Sequence, residues 1–166
     1  MDIPKMRIGF GALRLCGPGW SPSTDPEAGK AVLRRAVDLG VSFIDTADSY
    51  GLGSNEELIA DALHPYPAGV VVATKAGQSR PTPGGWVPLG RLAYLRQQAE
   101  LSLRRLRLER LDLFQLHRVD PEVPLADQVG ALRDLRHEGR IAAVGLSEVT
   151  VEQIAEARRI VPIASV

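Results

Sequence analysis

Short apolar runs rich in β-branched residues alternate with amphipathic stretches of helical length from one end of the chain to the other. This is the pattern of βα units around a parallel sheet. Read as strands, the apolar runs are residues 7–10, 41–45, 70–74, 111–116, 142–147 and 163–166. Thr24 or Asp25 caps a first helix with Pro26 in its first turn, Val32, Ala36 and Leu39 recur at helical spacing, and Gly40 supplies a left-handed terminus. Ser54 with Glu57 reads as a capping box for a shorter second helix ending near Leu63. A third helix, 92–106, repeats Leu92, Leu95, Ala99, Leu103 and Leu106 on one side. Its arginines (Arg91, Arg96, Arg104, Arg105, Arg107) point elsewhere and, diluted by Glu100 and Glu109, read as a solvated face rather than a phosphate site. The fourth helix runs over 125–138 and stops at Gly139; the fifth starts at Thr150 with Gln153 as its capping-box partner.

Two connections are too rich in turn residues to be plain crossovers. Residues 78–90 contain three prolines, three glycines and Trp86, and residues 16–23 hold Gly17, Pro18, Gly19, Trp20 and Pro22. Both follow strands, so both tryptophans fall on the sheet end where βα loops build sites. They either cover that end or wall an aromatic-lined substrate pocket.

Composition adds limits. The 166 residues carry 45% hydrophobic and 24% charged side chains, which excludes a disordered or fibrous chain. Twenty Lys and Arg balance twenty Asp and Glu, so no net charge recruits nucleic acid or an anionic membrane. The single cysteine, Cys16, cannot form an internal disulfide. With neither a signal-peptide core nor a membrane-length apolar run, the expected compartment is the cytoplasm. No composition break divides residues 1–166 into two domains.

In a parallel βα array the polar residues at the carboxyl ends of strands converge on one mouth. The second strand ends in Asp45, with Tyr50 in the loop that follows; the third ends in Thr74 and Lys75, the fourth in His117, the fifth in Ser147 and Glu148. Each has a bland reading: Asp45 as a turn cap, Tyr50 as a surface residue, Lys75 as a solvated strand end, His117 as a satisfied core histidine. Their convergence is what those readings leave unexplained. A tyrosine, ordinarily titrating near 10, becomes a useful acid where a lysine ammonium stabilises its phenolate. A carboxylate such as Asp45 would hold that lysine, and a neutral imidazole would orient a carbonyl oxygen.

The stretch Phe43-Ile44-Asp45-Thr46-Ala47-Asp48-Ser49-Tyr50-Gly51 resembles the aldo-keto reductases, bacterial members above all. So do Asn55-Glu56-Glu57-Leu58-Ile59-Ala60-Asp61-Ala62-Leu63, Val72-Ala73-Thr74-Lys75, Leu111-Asp112-Leu113-Phe114-Gln115-Leu116-His117 and Val144-Gly145-Leu146-Ser147, in family order. The resemblance implies a TIM-type (β/α)₈ barrel and NADPH-dependent reduction of an aldehyde or ketone. It makes Tyr50 the general acid, Lys75 and Asp45 its tuning pair, and His117 the group that orients the carbonyl. Gly11, Ala12 and Leu13 would lie against the cofactor, and Ser147 would hydrogen-bond the nicotinamide carboxamide. Glu148 stands where many members have asparagine.

A full barrel takes about 250 residues, so the chain is expected to hold six strands and five helices, the amino-terminal portion of that architecture. Relatives continue with a nicotinamide-contacting glutamine and two further βα units that hold the rest of the cofactor. The isolated chain is therefore expected to be weak or inactive, and to self-associate through open sheet edges. A non-catalytic binding or regulatory module is the alternative. A Schiff-base role for Lys75, as in aldolase-type barrels, fits the four residues less well than carbonyl reduction.

Overall fold

The computed structural model describes residues 8–18 and 21–166. After β1 (Phe10–Gly11) and a 3-10 turn (Ala12–Leu15) come α1 (Pro26–Asp38), β2 (Phe43–Asp45), α2 (Ser54–Leu63) and β3 (Val71–Ala76). A small hairpin, β4 (Gln78–Ser79) with β5 (Val87–Pro88), precedes α3 (Leu92–Leu106). The chain then alternates through β6 (Leu111–Leu116), α4 (Leu125–His137), β7 (Ile141–Leu146), α5 (Val151–Arg158) and β8 (Ile163–Ser165).

Six strands form one parallel sheet in the order β1-β2-β3-β6-β7-β8, each beside its predecessor in the chain, and they curl into half of a barrel backed by the helices. Parallel order follows from the helical crossovers, which return the chain to the same sheet end before every strand. β3 and β6 sit centrally and are buried on both faces; Val72, Ala73, Leu113, Phe114 and Leu116 are essentially inaccessible. The helices close the core with Leu33, Ile59, Leu95, Leu106, Leu132 and Leu135.

Local signals act as the side chains dictate. Asp25 accepts from Ala28 N at 3.0 Å, ahead of Pro26, and Gly40 takes φ 91° after α1. Thr150 and Gln153 cap each other at α5. The second helix departs from expectation. Gly53, at φ 95°, is its cap, Ser54 is already helical, and no side chain caps it. The chain takes a left-handed turn through Gly51, Leu52 and Gly53 at this point, and a Cβ at Gly53 would collide with the Arg105 guanidinium. Tertiary packing thus displaces the capping box.

Strand limits shift for similar reasons. Val41 N bonds Ala36 O and finishes α1, which delays β2 to Phe43. β3 continues through Lys75 and Ala76, beyond its apolar run, because the ladder to β6 continues through Gln115 and Leu116. β7 ends at Leu146, leaving Ser147 outside the ladder. Part of the first predicted strand lies outside the described residues, as does Trp20. The arginines of α3 do not form one solvated face: Arg96 pairs with Glu138, Arg107 with Asp61, and Arg105 with the buried Glu56. Among the described residues no helix is long and apolar enough to cross a membrane.

Candidate active site

Because all six strands point the same way, their carboxyl ends deliver side chains to a single mouth. Asp45 is the last residue of β2, Lys75 lies near the end of β3, and His117 and Ser147 directly follow β6 and β7. Tyr50 opens the 3-10 turn Tyr50–Gly53. Lys75 Nζ donates to Asp45 Oδ2 at 2.7 Å and to the Thr46 carbonyl at 2.9 Å. The same ammonium lies 5.3 Å from the Tyr50 ring centroid. Tyr50 and His117 meet edge to face with centroids 5.7 Å apart, and Trp86 packs on His117 in the same manner at 6.5 Å. Tyr50, Lys75 and His117 are buried, and Asp45 is half-buried.

Tyr50, His117, Trp86, Leu13, Gln78 and Arg118 line a cavity of about 380 Å³. Trp86 reaches it on the hairpin, where Ser79 Oγ bonds the Val87 carbonyl and the Arg80 guanidinium stacks on the indole, 4.1 Å from its centroid. Of the other expected cofactor residues, Ala12 is fully buried with its carbonyl held by Asn55 Nδ2 at 3.0 Å, and Gly11 is exposed with open space where a Cβ would stand. Ser147 is half-buried beside the cavity, with Oγ 3.3 Å from Arg118 Nη1. Of the expected cofactor residues, Leu13 lines the cavity itself and Ser147 touches Arg118, which lines it too.

Burial dominates the protonation of the group. It pushes the Tyr50 phenol up to about 12, with Asp45 adding to the rise and Arg118 opposing it. On balance the phenol therefore rises despite the nearby ammonium, which lies against the ring, is engaged by Asp45, and itself titrates lower than usual because of burial. Burial, then Lys75 and Arg118, push His117 down to about 3, so its imidazole is neutral near pH 7. Ser49 Oγ faces its Nδ1 at 3.4 Å.

Behind these residues lies a polar network that reading the sequence alone missed. Asp48 is buried; Tyr94 donates to its Oδ2 at 3.3 Å and its Oδ1 has no hydrogen-bond partner. Burial, then the Glu56 carboxylate, push its carboxyl up to about 7. Glu56, fully buried, accepts from Thr74 Oγ1 at 2.5 Å and from Arg105 Nη1 at 2.8 Å. Thr46 Oγ1 donates to Asn55 Oδ1 at 2.7 Å. Gln78 and Arg118 also escaped notice, since neither residue type at a strand end distinguishes a cavity wall from a surface. Among the described residues no group of three or more His, Cys, Asp or Glu side chains is arranged to hold a metal ion.

Comparison with known proteins gives the family and the fold. An uncharacterized oxidoreductase of Schizosaccharomyces pombe is 47% identical over 166 residues, covering 99% of this chain and 54% of its own length. A solved glycerol dehydrogenase from Gluconobacter oxydans superimposes with a TM-score of 0.87 at 32% identity, covering 99% of this chain and 53% of that one. An aldo-keto reductase from Klebsiella pneumoniae, solved in complex with NADPH, gives 0.71 at 27% identity over 92% of this chain and 49% of its own. The chain thus spans about half the length of the relatives it matches. Residues 7–166 match the family model of the aldo/keto reductases, and with six strands of the barrel and their strand-end residues in place, the chain belongs to that family.

Proposed function

We propose that this chain carries the proton-transfer half of an NADPH-dependent reduction of an aldehyde or ketone to an alcohol. The observation that carries the reading is that Tyr50 and His117 line one cavity in contact with each other, with the Lys75–Asp45 ion pair set against the Tyr50 ring. The relative solved with NADPH supports the choice of cofactor. A bound nicotinamide supplies the reducing equivalent to the carbonyl carbon; Ser147 would hold its carboxamide, and Gly11, Ala12 and Leu13 would lie along it.

The neutral His117 donates a hydrogen bond to the carbonyl oxygen and orients it. In the tautomer in which Ser49 Oγ donates to Nδ1, the ring carries its proton on the other nitrogen, available for that bond. Tyr50 then gives its phenolic proton to the same oxygen. A phenol at about 12 remains fully protonated near neutral pH. The developing alkoxide is far more basic, its alcohol resembling water at about 15.7, so the proton moves downhill. Lys75, fixed by Asp45, steadies the phenolate left behind. Trp86 packs on His117 and forms the apolar wall against which the carbonyl's substituents lie. The implied partner is a small-molecule carbonyl compound; nucleic acid and membrane have no part in the reading, and the proposed location is the cytoplasm.

Oxidation of NADPH by the full chain with aliphatic and aromatic aldehydes tests this. Tyr50→Phe should lower kcat/KM by about 10²-fold or more while leaving NADPH affinity unchanged. A rate indifferent to Tyr50→Phe would overturn the proposal. The half-length coverage favours one second reading, a non-catalytic binding module. Cofactor binding without turnover would support it.

A further inference from the structure

Arg118 and Glu148 lie outside the roles assigned above, yet they join two strand ends at the cavity. Arg118 directly follows His117, lines the cavity, and spends its fork on three acceptors. Nη1 donates to the His117 carbonyl at 2.6 Å and to Ser147 Oγ at 3.3 Å, and Nη2 pairs with Glu148 Oε1 at 2.7 Å. A guanidinium has five N–H groups, two on each terminal nitrogen. Both of Nη1 are engaged, and the Glu148 carboxylate already faces the charge at Nη2. These commitments argue against a hook for an anionic substrate and for a brace between the ends of β6 and β7.

The backbone supplies an independent sign. Glu148 takes φ 51°, a left-handed conformation that non-glycine side chains rarely adopt and that asparagine tolerates better. A glutamate there gains what asparagine is too short and uncharged to supply, an ion pair with Arg118. Hydroxyl polarity then follows. By accepting from Arg118, Ser147 keeps its own O–H free to donate.

We propose that Arg118, latched by Glu148, is a positioning residue that fixes the Ser147 hydroxyl as a hydrogen-bond donor toward the amide carbonyl of a ligand at the cavity rim. This rests on the reading that the rim receives a nicotinamide carboxamide.

The test titrates the full chain, Arg118→Gln, Glu148→Gln and the double variant with NADPH and with its thionicotinamide analogue, whose sulfur is a weaker acceptor. Each single variant should weaken NADPH binding by about tenfold, within the range of coupling between contacting residues, and the double variant should be no weaker than the weaker-binding single. The preference for NADPH over the analogue should shrink in all three. Thermal destabilisation with an unchanged preference would overturn the proposal, since a merely structural pair would not set hydrogen-bond polarity at Ser147. Should the unaltered chain bind neither nucleotide, the cofactor reading fails. The brace is then judged by ¹⁵N NMR: resolved, slowly exchanging Arg118 guanidinium signals that average out in Glu148→Gln uphold it, and signals unchanged by that substitution overturn it.

Discussion

At the scale of single residues, two buried titratable groups pull stability in opposite directions. Asp48 titrates at about 7 in the fold and His117 at about 3; unfolded, such groups titrate near 3.9 and 6.5. Between about pH 4 and 6.5 the folded chain holds an extra proton on Asp48, and the unfolded chain holds one on His117. A folded pKa raised for a carboxyl means stability lost as pH rises from about 4 through about 7. A folded pKa lowered for a histidine means stability present above about 6.5 and lost as pH falls toward about 3. Each slope approaches 1.4 kcal/mol per pH unit, and they cancel. The groups facing Asp48 (Tyr94 and Arg105 on α3, Glu56 on α2, Lys75 on β3) are unchanged in both variants below, and in His117→Gln they act on its carboxyl as before. Urea midpoints should therefore be nearly flat over this range in the unaltered chain, rise with pH in Asp48→Asn and fall with pH in His117→Gln. Parallel behaviour of the two variants would contradict the assignment.

At the scale of elements, Glu56 ties α2 to β3 through Thr74 and to α3 through Arg105. Removing one partner of a buried pair leaves an uncompensated charge, a loss of about 3–5 kcal/mol. Arg105 retains some solvent access, which places Glu56→Gln near the lower end, about 3 kcal/mol, read as a drop in urea midpoint at constant slope. Losing the Glu56 charge should also lower the Asp48 pKa, so Glu56→Gln shifts the pH response toward that of Asp48→Asn. α1, α3, α4 and α5 were legible because their periodicity, joined at α1 and α5 by a side-chain cap, lies within each segment. The cap of α2 was not, because Arg105 lies some fifty positions away and only packing brings it against Gly53. The hairpin β4–β5 escaped for another reason: its strands are two residues each, too short for any alternation to register.

At the scale of the whole molecule, among the described residues β1 and β8 each pair on one side only. Unpaired backbone along a sheet edge is a template for another chain. We expect association that grows with concentration in sedimentation velocity, and Ala164→Lys, which sets a charge on the β8 edge, should reduce it. Sedimentation that stays monomeric at all concentrations would show that the edges are not adhesive.

By itself the sequence determined the parallel βα order, most helix boundaries and the identity of Asp45, Lys75 and His117 as strand-end residues with Tyr50 in the loop after Asp45, because these depend on local periodicity and on the direction every crossover imposes. Tertiary structure alone decided the rest. It set Lys75 against the face of the Tyr50 ring, pushed the phenol up and the imidazole down through burial, and placed Asp48 and Glu56 behind the site. It also drew Arg118 across to Ser147 and Glu148. Those outcomes depend on desolvation and on contacts between segments far apart in the chain, and no local pattern of residues encodes either.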